Sequence, residues 1–425
     1  MDVYVICFLA SFLFARAGHY YLSGFVLILA AVYLYWYDYK RSGNIIHLRG
    51  VFSFFWVFGQ ALACLKLSHL QTDWSLITWL CFFIALTAFW LTFQLLEMKF
   101  GSPEGFRTRF YGLRDYSGPV FQVMSALTAV SLAAFLLEAY ILGFVPFLVR
   151  GVPHAYSTFH ITGVHYLTVS CVLVPALSVL YFHLDYKTKS IGRTAAVIMD
   201  VIAFAIPVLC VSRFQLILAV MLAVFTYILC KKDFSPLYAI GAVAAILPVY
   251  LILTVARSHD VEYLNGIFEM KNSHMPIFIT QPYMYIANNY DNFNCLVENL
   301  QGFAWGMKSL FPLWALTGLK FLAPWLVNYP IIVNKEELTT LTLFYDSYYD
   351  FGVIGVFVFA CMLGAAAYFV AERIPKIRNP VGYLFYAQIV VYFMFSFFTT
   401  WFSNPATWFY FAVTGIIFFY CSWKN

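Results

Sequence analysis

Stretches of about 17–25 apolar residues, the length of helix that crosses the hydrocarbon core of a bilayer, recur from one end of this chain to the other. Twelve can be read, at approximately 2–16, 20–37, 50–65, 74–95, 119–146, 164–182, 195–211, 214–230, 236–255, 341–370, 382–400 and 405–423. No soluble globule accommodates them. With 63% hydrophobic and only 11% charged residues over 425 positions, too few polar side chains remain to cover a water-facing surface. The expectation is an all-α polytopic membrane protein with about twelve transmembrane helices, forming a single membrane domain over residues 1–425.

Basic residues near the ends of spans are retained on the cytoplasmic side, so the connections fix an orientation. Lys40, Arg41, Arg49, Lys99, Arg107, Arg109, Arg114, Lys187, Lys189, Arg193, Lys231, Lys232, Arg373, Lys376, Arg378 and Lys424 fall in alternate connections and at the C-terminus. The short connections of the other set carry only Arg16, Lys66, Arg150 and Arg213. Both termini are therefore expected inside. The net charge of +5 then reports topology and contact with anionic lipid, not binding of nucleic acid. The first segment ends in Ala15-Arg16-Ala17, which resembles a signal-peptidase site, but the chain opens Met1-Asp2 without a basic n-region, so the segment is read as a span. Nine scattered cysteines contain no CxxC, which supports neither a disulfide framework nor a zinc site, and no cofactor is expected.

Between the ninth and tenth spans lies a Tyr-, Trp- and Asn-rich run, residues 256–340, that the basic-residue pattern places outside the cytoplasm. Within it, Met275 to Leu300 reads as a helix near the interface. Trp305 to Val327 is hydrophobic enough for a thirteenth span, but a crossing there would put Arg373, Lys376 and Arg378 outside, so an interfacial or re-entrant helix is expected. A nine-plus-three division with no internal repeat also differs from the two-repeat plan of many transporters.

Three constellations on the expected outer side can carry chemistry. Arg150, Arg213 and Arg257 stand at span ends, where guanidinium groups could clamp a lipid pyrophosphate or simply snorkel to headgroups. Arg213 sits in the tight turn Val211-Ser212-Arg213-Phe214, which gives a charge little reason to be there without a partner. His154, His160 and His165 cluster between the fifth and sixth spans. His160 and His165 suit a general base better than a metal, being five residues apart instead of four. Asp346 and Asp350, four apart at the start of the tenth span, share a helix face and mark either a functional site or an ion pair with an outer arginine. Gly352 and Gly355 follow, permitting close helix contact. Glu138 and Asp200 lie within spans, each readable as a proton relay or as an acid hydrogen-bonded to a neighbouring helix.

Glu138 to Pro146 (EAYILGFVP), the His/Tyr loop after it, Ser212-Arg213-Phe214, the late long loop, and Thr340-x-Thr342 leading into Asp350-Phe351-Gly352-x-x-Gly355 together resemble the bacterial oligosaccharide repeat-unit polymerases, the Wzy-type or O-antigen polymerase family. The resemblance implies a GT-C-like glycosyltransferase of the bacterial cytoplasmic membrane. Its substrate would be an oligosaccharide repeat unit linked to undecaprenyl pyrophosphate, and its partners a flippase and a chain-length regulator. A sugar hydroxyl of the incoming unit would attack the anomeric carbon of the growing glycan at the outer leaflet. On that reading Arg213 and Arg257, with Arg150, hold the pyrophosphate without a metal. His160, His165 or Asp350 supplies the base. Tyr290, Thr342, Tyr345 and Asp346 are the expected sugar contacts, tyrosines offering flat faces to rings.

Three other readings share parts of this pattern. O-antigen ligases have the same layout but usually carry a histidine where this chain has Thr340-Leu341-Thr342. A flippase or transporter of lipid-linked oligosaccharide would show the same arginines, yet needs charge deep in several spans. A membrane acyltransferase would place its histidine deep in the membrane or at a cytoplasmic entry.

Overall fold

The computed structural model describes residues 1–103, 116–149, 155–184, 190–231, 261–272 and 274–424. Among them, eight helices are long and apolar enough to cross a bilayer: Tyr20–Ser42, Leu76–Phe100, Ser117–Leu142, Val164–Leu184, Ile191–Leu209, Arg213–Cys230, Tyr345–Lys376 and Pro405–Trp423. The protein is an all-α multi-pass membrane protein. The expected spans at 50–65 and 382–400 coincide with two shorter apolar helices, Leu48–Cys64 and Gly382–Met394, and the first with the helix Asp2–Arg16. The expected ninth span, 236–255, lies outside the described residues. Large apolar side chains left uncovered by protein, such as Ile354, Met362 and Leu95, sit on helices whose other faces are packed, as lipid contact requires.

The chain divides into two compact units. The first comprises Met1–Gly105, Asp260–Arg373 and Tyr392–Thr407, and the second Phe106–His259, Ile374–Val391 and Trp408–Asn425. In the first, the helix Tyr20–Ser42 packs on Asp2–Arg16 and on Leu48–Cys64, while Tyr345–Arg373 packs on Leu76–Phe100. Buried Arg49 at one end of Leu48–Cys64 donates from Nε to Asp38 at 2.9 Å and from Nη1 to Glu97 at 3.3 Å; Glu97 also meets Arg41 at 3.1 Å. At the other end of that helix, about 25 Å away at 1.5 Å per residue, the turn after Cys64 joins the long loop. Ser68 Oγ donates to Phe268 O at 2.6 Å, and His69 N to Glu269 O at 2.9 Å.

The scaffold of the long loop is the helix Ile277–Asn299, within the stretch expected to be helical. Most of its polar residues are buried in protein. Asn292 Nδ2 donates to Leu338 O (2.7 Å) and Thr340 O (2.9 Å), and its Oδ1 accepts from Asn334 N (3.1 Å). Asn289 donates to Phe397 O and accepts from Thr340 Oγ1, both at 2.6 Å. Asparagine is suited to this work because one side chain carries both donor and acceptor, so a helix face of Asn satisfies the backbone of an irregular segment. The stretch read as a possible thirteenth span is broken into the helices Phe311–Leu316 and Leu319–Leu322 and a 3-10 turn, Pro324–Leu326, each far too short to cross a bilayer.

In the second unit, Ser117–Leu142 packs on Val164–Val169 and Val174–Leu184, and the latter on Arg213–Cys230. The sixth span is interrupted by a 3-10 stretch, Ser170–Leu173, just before Pro175, which has no N–H to continue the regular ladder.

Candidate functional site

One corner of the second unit gathers several of the residues singled out from sequence. Glu138 is fully buried near the end of Ser117–Leu142. A carboxylate there requires partners, and it has three: Ile161 N at 2.8 Å, Thr168 Oγ1 at 2.7 Å, and His165 Nδ1 at 3.1 Å. The loop that brings them is fixed by Phe159, buried against Phe135 and Phe144. It is fixed again by Gly163, whose φ of +88° at the start of Val164–Val169 favours glycine. With Nδ1–H committed to the carboxylate, Nε2 is the ring nitrogen left to take a proton, and the His165 side chain is 29% exposed. His160 is exposed, its ring 6.3 Å from that of His165.

Arg213 opens the helix Arg213–Cys230 and is 7% exposed. A cation at a helix N-terminus opposes the helix dipole, so helix electrostatics do not account for it. The turn before it is strained. Ser212 N bonds Pro207 O (2.9 Å) and Val211 N bonds Val208 O (3.0 Å), a Schellman closure whose left-handed position holds Val211 at φ +55° where glycine is usual. The valine side chain is buried with Leu216 against Tyr156, Phe204 and Val208, so packing offsets a backbone cost of about 1–3 kcal/mol. Cys210, in the same turn, lies within the electrostatic field of Glu138. Arg150, Arg257 and His154 lie outside the described residues.

The first unit places the paired aspartates. Asp346 and Asp350 do share a face, and both meet the turn at 304–309. Asp350, fully buried, accepts from Lys308 N (3.1 Å) and Ser309 N (2.8 Å), and the backbones of Tyr349 and Asp350 accept from Ala304 N and Trp305 N. Both carboxylate oxygens of Asp350, one of the three expected base candidates, thus hold loop backbone, so the residue anchors the turn to the helix. Asp346 Oδ1 lies 3.7 Å from Lys308 Nζ, its cationic neighbour among the described residues. The glycines act within the chain's own fold: Gly352, at φ +60°, breaks the helix after Phe351, and Gly355 lies against Ser347 O.

Asp346 and Lys308 line a cavity of about 440 Å³ together with Tyr329, Thr399, Thr400, Ser403, Asn404 and an apolar wall that includes Phe311, Leu326 and Leu341. The other expected sugar contacts, Tyr290, Thr342 and Tyr345, lie in the interior. Tyr290 is fully buried, its hydroxyl donating to Trp56 O at 2.7 Å and its ring packed on Trp56, Trp74 and Phe82, so no face is free for a sugar. Thr342 is fully buried. Tyr345 is also buried, its hydroxyl exchanging hydrogen bonds of 2.8 Å with the N–H and C=O of Ile332. Lys308 and the 399–404 turn had no signal in sequence beyond an isolated cation and a Thr-Ser-Asn connection.

No protein-family model matches the chain, and no curated protein or solved structure does either.

Proposed function

We propose that the protein is a bacterial cytoplasmic-membrane glycosyltransferase. On this reading it joins undecaprenyl-pyrophosphate-linked oligosaccharide repeat units into a surface polysaccharide at the outer leaflet, with about twelve spans and both termini inside. The observation that carries the reading is buried Glu138 holding His165 by Nδ1, with its field reaching Cys210, three residues before Arg213. A carboxylate-held imidazole is organised to accept a proton at Nε2 and to be stabilised as imidazolium. In the proposed step the acceptor hydroxyl oxygen bonds to the anomeric carbon of the growing glycan as the carbon–oxygen bond to pyrophosphate breaks. The hydroxyl proton passes to His165 Nε2, and the bonding pair leaves on the diphosphate. Arg213 stabilises that charge, with Arg150 and Arg257 as its expected companions.

Two arginines of the first unit support the orientation. Arg41 and Arg49 lie at the end away from the described part of the long loop.

The test is genetic and chemical. Arg213→Ala or His165→Ala in the native host should leave surface glycan one repeat unit long. Lipid-linked units trapped inside the cell, with no exposed single-repeat product, would instead indicate a flippase and end the polymerase reading.

A further inference from the structure

We propose that the cavity in the first unit is a carbohydrate subsite that holds one neutral pyranose ring. It rests on the reading above only in that both handle sugar; neither His165 nor Arg213 enters the argument. The first observation is an unfilled acceptor. Asp346 is 5% exposed, and its Oδ1 has no hydrogen-bond partner among the described residues, since Lys308 Nζ at 3.7 Å is beyond hydrogen-bonding range. A buried carboxylate oxygen left in this state is unfavourable. A ligand hydroxyl that takes the place of the Thr400 or Ser403 hydroxyl beside this carboxylate would satisfy it.

The second observation is the sign of the cavity. Lys308 and Asp346 offset one another, so neither a phosphate nor a cation finds net charge to bind. A neutral ligand does. The third is the make-up of the lining. Thr400 and Ser403 stand beside the Asp346 carboxylate, and the lining joins these and Asn404 with Tyr329 and aliphatic side chains. A pyranose has hydroxyls at its edge and C–H groups on its faces, and so matches a lining that supplies an acid, an amide and hydroxyls together with an aromatic ring. At about 440 Å³ the cavity falls within the ~300–1,000 Å³ of small-molecule sites.

The experiment uses full-length protein in lipid nanodiscs and the methyl glycosides of glucose, galactose and N-acetylglucosamine as probes, with binding read by saturation-transfer NMR and calorimetry. At least one glycoside should bind, and Asp346→Asn should weaken it about tenfold or more, as loss of a charge-assisted hydrogen bond does. Tyr329→Ala, at a half-exposed position, should weaken it severalfold. Arg213→Ala should leave glycoside affinity unchanged even where it abolishes polymer, so the two readings fail separately. No binding by any of the three probes would overturn the assignment, as would binding indifferent to both cavity variants or displaced by a lipid acyl chain.

Discussion

Two buried carboxylates, one in each unit, solve the same problem with opposite results. Asp291 is held by Lys66 Nζ at 2.7 Å, Gln71 Nε2 at 2.8 Å and Trp74 Nε1 at 2.8 Å, and all three partners are themselves buried. Tyr283 extends that network by donating to Gln71 Oε1 at 2.6 Å. Glu138 also has three partners, but one of them, His165, reaches the surface. A closed network of this kind can only hold elements together. A network with one titratable member at the surface can also exchange a proton with something outside. Completeness of burial around an acid therefore separates scaffold from chemistry better than the acid's own burial does.

The comparison can be broken most decisively at its open end. His165→Ala should lower polymer formation by about 10²- to 10⁴-fold, measured as product length from lipid-linked repeat units and purified protein, while the thermal unfolding midpoint barely moves. A large drop in that midpoint would place His165 with the scaffold. At the closed end, Asp291→Ala strands the Lys66 ammonium and should destabilise by roughly 3–5 kcal/mol. Thermal or denaturant unfolding in nanodiscs would reveal it, and a stable variant would show that the network is dispensable. Glu138→Gln keeps the shape but supports imidazolium less well, so activity should fall by about 10²-fold with the fold intact. Retained full activity would reduce Glu138 to packing. Asp346→Asn leaves Lys308 near solvent and should cost less than about 1–2 kcal/mol, well below Asp291→Ala in the same unfolding assay. Smallest is Val211→Gly, where relief of about 1–3 kcal/mol of backbone strain is set against a similar loss of buried side chain. A near-zero stability change with altered Arg213-dependent activity would show that the strained turn serves to aim the guanidinium.

The apolar segments were legible because span length and hydropathy are local properties of the chain. The shared face of Asp346 and Asp350 was legible for the same reason, since helical period alone places residues four apart together. Their partner was not. Lys308 lies about forty residues upstream on an irregular loop, and nothing periodic links it to Asp346. The helix Ile277–Asn299 was legible, but the use of its asparagines was not: they are consumed by the backbone of residues 334–340 and 397, which sequence alone does not bring near. Tyr290 and Tyr345 show the same limit, since a tyrosine offered to a sugar and one bonded to a carbonyl are identical in sequence. Val211 was invisible for a third reason: valine is among the last residues expected in a left-handed turn.

Gly352 divides Tyr345–Arg373 into a short first piece and a long apolar one. The short piece is stitched to the 304–309 turn by Ala304 N–Tyr349 O and Trp305 N–Asp350 O, which tie it to the loop. When lipids of different thickness make the long piece tilt, the swivel should take up the angle and the aspartates stay in register with Lys308. Glycoside affinity measured across bilayers of short and long acyl chains should accordingly be flat, and a steep dependence would mean that the joint is rigid.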